Sequence, residues 1–113
     1  MEIEFKQQEE IGIITPHGRL DVSSAQDLKD EFDRFLKKTS YFVLDLANVE
    51  FMDSTGLGAI ISCMKKSSQA NGDIYIANLQ SKPQILFEIT KAYKIFEVFD
   101  DLDTAVNELK QQI

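Results

Sequence analysis

The fold is decided by the stretch Val49-Glu50-Phe51-Met52-Asp53-Ser54-Thr55-Gly56-Leu57-Gly58 and by the segments on either side of it. Before it, residues 41–46 are almost unbroken apolar sequence, which predicts a central parallel strand covered on both faces. After it, a helix is indicated by apolar residues at helical spacing, namely Leu57, Ile60, Ile61 and Met64. Between strand and helix lies an Asp-Ser-Thr-Gly turn of small residues. Such a turn is where α/β proteins place exposed functional groups.

Upstream of this stretch, the sequence predicts a hairpin and a first helix. Residues 2–7 alternate in polarity and predict a half-buried edge strand, while residues 11–15 predict its partner, with Pro16 ending the regular pairing. Ser23 followed by Gln26 matches a capping box. The helix that it opens should run to about residue 38 and carries Leu28, Phe32, Phe35 and Leu36 at helical spacing.

Downstream, strands and helices continue to alternate. The predicted elements are a strand at residues 74–77, a helix opened by Ser81 and Pro83 that carries Ile85, Leu86 and Ile89, a strand at residues 95–99, and a final helix with Leu102, Val106 and Leu109 inward. This order predicts an α/β fold with a mostly parallel sheet, helical cover and right-handed crossovers.

Composition and charge narrow the class of protein. The chain has 113 residues, of which 43% are apolar and 27% charged, so a single globular domain over residues 1–113 is expected. Its 12 basic and 19 acidic residues give a net charge of −7. That charge repels nucleic acid and anionic membrane surfaces, and no basic cluster offsets it. We therefore expect no direct nucleic-acid binding.

Other features argue against membrane insertion and metal chemistry. No apolar run approaches the roughly 20 residues of a membrane span, and the amino terminus lacks the pattern of a signal peptide, so a cytoplasmic protein without membrane insertion is expected. Cys63 is the only cysteine, and His17, the only histidine, lies in a predicted loop. A disulfide framework, a metal site and a catalytic histidine are therefore not expected.

Ser54 is placed to begin or cap the helix, with its hydroxyl exposed near the free N–H groups of the first turn. A phosphate there would add about −1.5 to −2 charges. A helix N-terminus accepts such an anion, so phosphorylation would change the surface rather than the fold. On the residues alone, a plain helix cap at Asp53 or Ser54 is the simpler interpretation.

The octapeptide Phe51-Met52-Asp53-Ser54-Thr55-Gly56-Leu57-Gly58 resembles the signature of the anti-sigma factor antagonist family, the bacterial STAS domains. Gly18-Arg19-Leu20-Asp21 resembles a second motif of that family, with Arg19 standing where an acidic residue is common. The likeness extends across nearly the whole chain. It implies a single domain with a small mixed sheet covered by about four helices. It also implies that Ser54 is the phosphorylated residue and that the loop of Asp21 helps contact the kinase.

The resemblance further implies a partner-switching cycle. The unphosphorylated form would bind an anti-sigma factor that is also a serine kinase, which frees a sigma factor. The kinase, with its own ATP and Mg²⁺, would phosphorylate Ser54 and release the antagonist, and a serine phosphatase would reset the cycle. The chain itself would need no cofactor and catalyse nothing, and Thr55 is a minor second acceptor. The residues expected to contact the partner are Asp21, Asp53, Ser54, Thr55, Gly56, Leu57 and Gly58.

Two other functions are considered. The first keeps the fold but makes the chain a scaffold subunit of a transport or stress-signalling assembly, in which the same turn docks a partner without a phosphorylation cycle. The second makes Ser54 a catalytic nucleophile. The sequence has no Gly-x-Ser-x-Gly elbow and only one histidine to act as a base, which disfavours that function.

Overall fold

Six strands and four α-helices make up the fold in the computed structural model, which describes residues 1–113. The strands are β1 (Glu2–Gln8), β2 (Ile11–Leu20), β3 (Tyr41–Asp45), β4 (Val49–Met52), β5 (Asp73–Ala77) and β6 (Glu97–Phe99). The helices are α1 (Ala25–Phe35), α2 (Ser54–Gln69), α3 (Ser81–Thr90) and α4 (Leu102–Lys110), and a 3₁₀ helix (Ala92–Lys94) precedes β6. No helix has the length and apolar character needed to cross a membrane.

The strands form one mixed sheet in the order β1-β2-β3-β5-β6, with β4 paired to β2 beside this series. Only β1 and β2 are antiparallel; the other pairings are all parallel. The predicted small, mostly parallel sheet with helical cover is therefore confirmed. Because β2 to β6 run in the same direction, their carboxyl ends meet at one edge of the sheet.

Strand β3 separates two hydrophobic cores of unequal size. Phe42 and Leu44 point into a cluster of 20 buried residues, to which α1, α2 and α3 all contribute. Val43, between them, points into a cluster of 8 buried residues that includes Val106 and Leu109 of α4. The prediction that this strand is covered on both faces is confirmed. The larger core lies on the face that carries α2, and it anchors that helix.

Strand β2 continues beyond Pro16, and the predicted end of its pairing is wrong. Pro16 is paired with Ile3, and the strand runs on to Leu20. The pairing of β2 with β3 ends at Ile14, and its pairing with β4 begins at Gly18, where the register shifts. Pro16 lies in the interval between the two parallel partners. Its missing N–H therefore removes no ladder hydrogen bond on that side.

Strand β4 is absent from the sequence predictions. It has only four residues, and its two buried residues, Val49 and Met52, are separated by Glu50 and Phe51, which are not buried. That pattern matches neither alternation nor a continuous apolar run. The strand exists because β2 offers it a partner after the register shift.

The helix boundaries also bring corrections. The predicted capping box is wrong, because the N-cap residue of α1 is Ser24 and makes no side-chain capping bond. The helix ends at Phe35 and continues only as a turn to residue 38. In α3 the buried residues are Pro83 and Phe87, whereas Ile85 and Ile89 are exposed. In α4, Val106 and Leu109 are buried and Leu102 is half-buried.

Candidate functional site

Helix α2 begins directly after Asp53, whose backbone is extended. The carboxylate Oδ1 of Asp53 accepts a hydrogen bond from the N–H of Gly56 at 2.8 Å, and its carbonyl oxygen accepts one from the N–H of Leu57 at 3.0 Å. These are the bonds of an N-cap residue. The capping interpretation is therefore correct for Asp53, and Ser54 is the first residue of the helix.

Ser54 and Thr55 are both exposed on the first turn of α2. Neither backbone N–H finds an acceptor within the chain, because the cap residue serves only the two residues that follow them. The Oγ of Ser54 makes no hydrogen bond to another residue of the chain. The site therefore presents a free hydroxyl beside two free amide donors and the positive end of a helix dipole.

The next three residues differ in their orientation. Gly56 and Leu57 are buried, whereas Gly58 is exposed. A Cβ at position 56 would lie 2.1 Å from the carbonyl oxygen of Leu20, so only glycine fits there; a Cβ at position 58 would meet nothing within 4 Å. Of these three predicted contact residues, only Gly58 faces solvent. Gly56 and Leu57 hold the helix against the domain.

The turn of Asp21 lies beside the turn of Asp53. In the parallel pairing of β2 with β4, Leu20 is opposite Met52, so the two aspartates follow neighbouring strand ends. The carbonyl oxygen of Leu20 also accepts a hydrogen bond from the N–H of Asp53 at 3.3 Å. The structure thus brings together two stretches that are more than thirty residues apart in sequence.

The carboxylate of Asp21 is held by hydrogen bonds within its own turn. Its Oδ1 accepts hydrogen bonds from the N–H of Ser23 at 2.9 Å and from the Oγ of Ser23 at 2.6 Å. These bonds, with a smaller contribution from Arg19, hold the pKa of Asp21 below its ordinary value. The Oγ of Ser24 fixes the turn from beneath, since it donates to the carbonyl of Arg19 and accepts from the N–H of Asp21. A fixed carboxylate therefore stands next to the Ser54 turn.

Arg19 and Phe51 form a cross-strand pair that the sequence patterns do not single out. They are opposite each other in the β2–β4 pairing, and the guanidinium carbon of Arg19 lies 4.0 Å from the centre of the Phe51 ring. The Nε of Arg19 is 3.4 Å from Asp21 Oδ2. The available signal was the departure from the family motif at Arg19, which replaces an expected negative charge by a positive one.

Val22 is a second feature that the sequence patterns do not single out. Its only signal is its apolar character in a polar turn. It follows Asp21 directly and is 74% exposed. An apolar side chain this exposed, between two residues fixed by hydrogen bonds, is available for contact with a partner.

Two other residue groups lie outside this site. His17 is within β2 rather than in a loop, and its Nε2 lies 3.2 Å from Glu4 Oε2. With Glu2 these residues bring three ligand atoms within 4.8 Å of one another, which could hold a metal ion although no such site is predicted from the single histidine. Burial raises the pKa of the Cys63 thiol to about 12, so this thiol is unreactive at neutral pH.

The sequence is similar to known proteins along nearly its whole length. Residues 2–105 match the family model of the STAS domain. The anti-sigma F factor antagonist of Paenibacillus polymyxa is 26% identical over 112 residues, which cover 97% of this chain and 96% of the relative. The anti-sigma-B factor antagonist of Staphylococcus aureus is 31% identical over 91 residues, which cover 80% and 84%.

Solved structures share the fold. The anti-sigma factor antagonist SpoIIAA in its unphosphorylated form superposes with a TM-score of 0.73 at 16% identity, covering 99% of this chain and all of that one. The phosphorylated form of the Bacillus protein gives a TM-score of 0.71 at 15% identity, covering 95% and 98%. By its sequence match over residues 2–105 and by its fold, this chain belongs to the STAS domain family, the family of the anti-sigma factor antagonists that it resembles.

Proposed function

We propose that this chain is an anti-sigma factor antagonist whose unphosphorylated form binds an anti-sigma factor that is also a serine kinase, and that phosphorylation of Ser54 ends the binding. The names of the relatives support the antagonist role. The observation that carries the switch is the exposed, unbonded hydroxyl of Ser54 at the first position of α2, beside the free amides of Ser54 and Thr55.

A phosphate on Ser54 would act through local charge. It adds about −1.5 to −2 elementary charges and three acceptor oxygens. The free amides and the helix dipole can accept this anion without unwinding the helix. Asp53 and Asp21 follow neighbouring strand ends, and the one ion pair that either carboxylate makes is that of Asp21 with Arg19. The modified surface would repel a partner that fits the neutral hydroxyl closely, while the fold stays intact.

The proposed interface consists of the outward residues of the two turns, which are Asp21, Val22, Asp53, Ser54, Thr55 and Gly58. Gly56 and Leu57 support it from beneath. A suitable partner surface offers hydrogen-bond donors to the two carboxylates and an apolar depression for Val22. In this proposal the chain is a cytoplasmic binding protein without enzymatic activity, does not contact nucleic acid, and is reset by a serine phosphatase.

The test compares affinity captures from lysate of the source cells, with Ser54→Ala and Ser54→Asp as baits and mass spectrometry as the readout. Ser81→Asp is the matched control, because Ser81 is also exposed and is also the first residue of a helix. We expect an ATPase with kinase sequence motifs on the Ser54→Ala and Ser81→Asp baits, and its loss from the Ser54→Asp bait. Recovery of the same partners on all three baits would overturn the switch and favour the scaffold function.

A second experiment identifies the acceptor residue. The captured kinase, supplied with ATP and Mg²⁺, should place one phosphate on the wild-type chain and none on Ser54→Ala. Thr55→Val removes the neighbouring hydroxyl but should leave phosphorylation unchanged. Phosphate that remains on Ser54→Ala would assign the switch to another residue.

A further inference from the structure

A cavity of about 490 Å³ opens between α3, the 3₁₀ helix and the end of β6. Its volume lies within the range of pockets that bind small molecules. It shares no lining residue with the proposed partner interface. Like that interface, it lies at the edge of the sheet where the parallel strands end, which is the usual place for ligands in α/β folds.

Three aromatic residues line this cavity, namely Phe87, Tyr93 and Phe99. Phe87 is buried, and its ring packs 5.9 Å from that of Phe96, centre to centre. The ring of Phe99 packs 5.2 Å from that of Tyr75. These neighbours fix two of the three aromatic walls, while Tyr93 stands at the rim with 52% of its surface exposed.

The two charged residues that line the cavity are both acidic. The carboxylates of Glu88 and Asp100 line it, and neither takes part in an ion pair. No lysine, arginine or histidine is among the lining residues; Lys91 and Lys94 lie close in sequence but outside the lining. Two carboxylates without a cationic partner therefore face a space that is walled by aromatic rings.

We propose that this cavity binds a small organic ammonium ion with an apolar body. Aromatic faces attract cations, and cages of aromatic rings are a recurrent way to bind substituted ammonium groups. The carboxylates of Glu88 and Asp100 supply the complementary charge. Val98, 38% exposed at the mouth, and the aromatic walls supply apolar surface for the rest of the ligand. The site is independent of the state of Ser54.

The test is an NMR titration of ¹⁵N-labelled protein with phenethylammonium as the probe. We expect saturable shifts of backbone amides in residues 79–100, with an affinity of about millimolar or tighter. 2-Phenylethanol, the neutral molecule with the same carbon skeleton, should bind at least about fivefold more weakly, and 3-phenylpropionate should not bind. Equal binding of the alcohol would overturn ammonium recognition. Unsaturable shifts spread over all acidic segments would also overturn it, because they would reflect only the net charge of −7.

Variants separate the contribution of the carboxylates to affinity from that of the aromatic rings. Glu88→Gln combined with Asp100→Asn should weaken binding about tenfold, while Glu97→Gln, which removes an exposed carboxylate of β6 outside the lining, should leave it unchanged. Tyr93→Ala should weaken binding about threefold and Tyr93→Phe should retain it. These side chains are exposed, so folding is preserved. Wild-type affinity in the double variant would overturn the proposal.

Discussion

The amino termini of α2 and α4 share one capping geometry and differ in what surrounds it. At α2, the Asp53 carboxylate accepts from the N–H three residues on, that of Gly56, at 2.8 Å. At α4, the Asp101 carboxylate accepts from the N–H of Thr104, also three residues on, at 2.7 Å. Both cap residues have extended backbones. As helix starts, the two are equivalent.

Their first turns differ in charge and in contacts. The first turn of α4 contains Asp103, so an anion already complements its dipole, whereas that of α2 has no acidic residue. The third helical residue of α2, Gly56, lies against the Leu20 carbonyl, while that of α4, Thr104, is exposed. A capping aspartate therefore does not by itself mark a regulatory site. The neutral hydroxyl that follows the cap and the neighbouring turn of Asp21 distinguish α2.

The largest contrast is expected at the third helical position. Gly56→Ala should lower the free energy of unfolding by about 2–3 kcal/mol, because the new Cβ would overlap the backbone of Leu20. Thr104→Ala, at the equivalent position of α4, should change it by less than about 0.5 kcal/mol. Urea denaturation of both variants measures the difference. Gly58→Ala, which places a methyl group in open space, should be neutral or stabilising by up to about 1 kcal/mol. A Gly56→Ala variant as stable as wild type would contradict the close packing of α2 on β2.

Removal of either cap tests their equivalence. Asp53→Ala and Asp101→Ala should each cost about 1 kcal/mol of stability, since each leaves one helix amide without its acceptor. Only Asp53→Ala should also reduce capture of the partner, because Asp101 lies outside the proposed interface. Stability is read from urea denaturation and binding from the affinity capture described above. Loss of the partner in both variants would point to a general effect of destabilisation.

A smaller effect is expected from a permanent charge at the first position of α2. Ser54→Asp should change the free energy of unfolding by no more than about 0.5 kcal/mol, because the favourable helix dipole and the nearby Asp53 carboxylate act in opposite directions. Thermal and urea denaturation check this result. Loss of partner binding with unchanged stability would be the signature of a surface switch. A drop of several kcal/mol would instead mean that charge at this position disrupts the fold.

The smallest effect concerns the α4 cap at low pH. The hydrogen bond from the N–H of Thr104 lowers the pKa of Asp101 below its ordinary value of 3.8. A lowered pKa in the folded state stabilises the fold above the unfolded pKa, and this contribution disappears as the pH falls through the folded value. The difference in stability between wild type and Asp101→Asn should therefore be constant above about pH 5 and shrink below about pH 4. Asp21 has the same direction of shift but is present in both proteins, so its effect cancels.

The sequence predicts the elements that have a clear local pattern better than the features that depend on strand pairing. Residues 41–46 indicate a strand covered on both faces because a long apolar run has few alternatives, and the order of elements then requires a parallel sheet. Strand β4 escapes prediction because four residues carry no periodicity and depend on pairing with β2. Pro16 is misleading for the same reason. The strand tolerates a proline there because β2 changes its parallel partner from β3 to β4 around this position.

The candidate site likewise combines features that local sequence rules predict with features that they do not. The cap at Asp53 and the exposure of Ser54 follow from local rules and are visible in the octapeptide. The stacking of Arg19 on Phe51 and the burial of Gly56 against Leu20 do not follow from local rules, because they depend on the register of two strands distant in sequence. The position of Asp21, after one strand and before a helix, places it on the same side of the sheet as the Ser54 turn, whereas its expected contact with a kinase came only from the family resemblance.

The carbonyl oxygen of Leu20 accepts a hydrogen bond from the N–H of Asp53 and lies against Gly56. It therefore fixes the position of the Asp21 turn relative to the Asp53 turn. An insertion or deletion between Gly18 and Asp21 would therefore shift the start of α2 as well as the first turn. The turn at residues 36–40 carries no such coupling to the site. During evolution, insertions and deletions should accumulate at residues 36–40 and be excluded from residues 18–21. Side chains such as Arg19 and Val22 remain free to change. Substitutions can therefore change which partner is bound, while the spacing of the two turns stays constant.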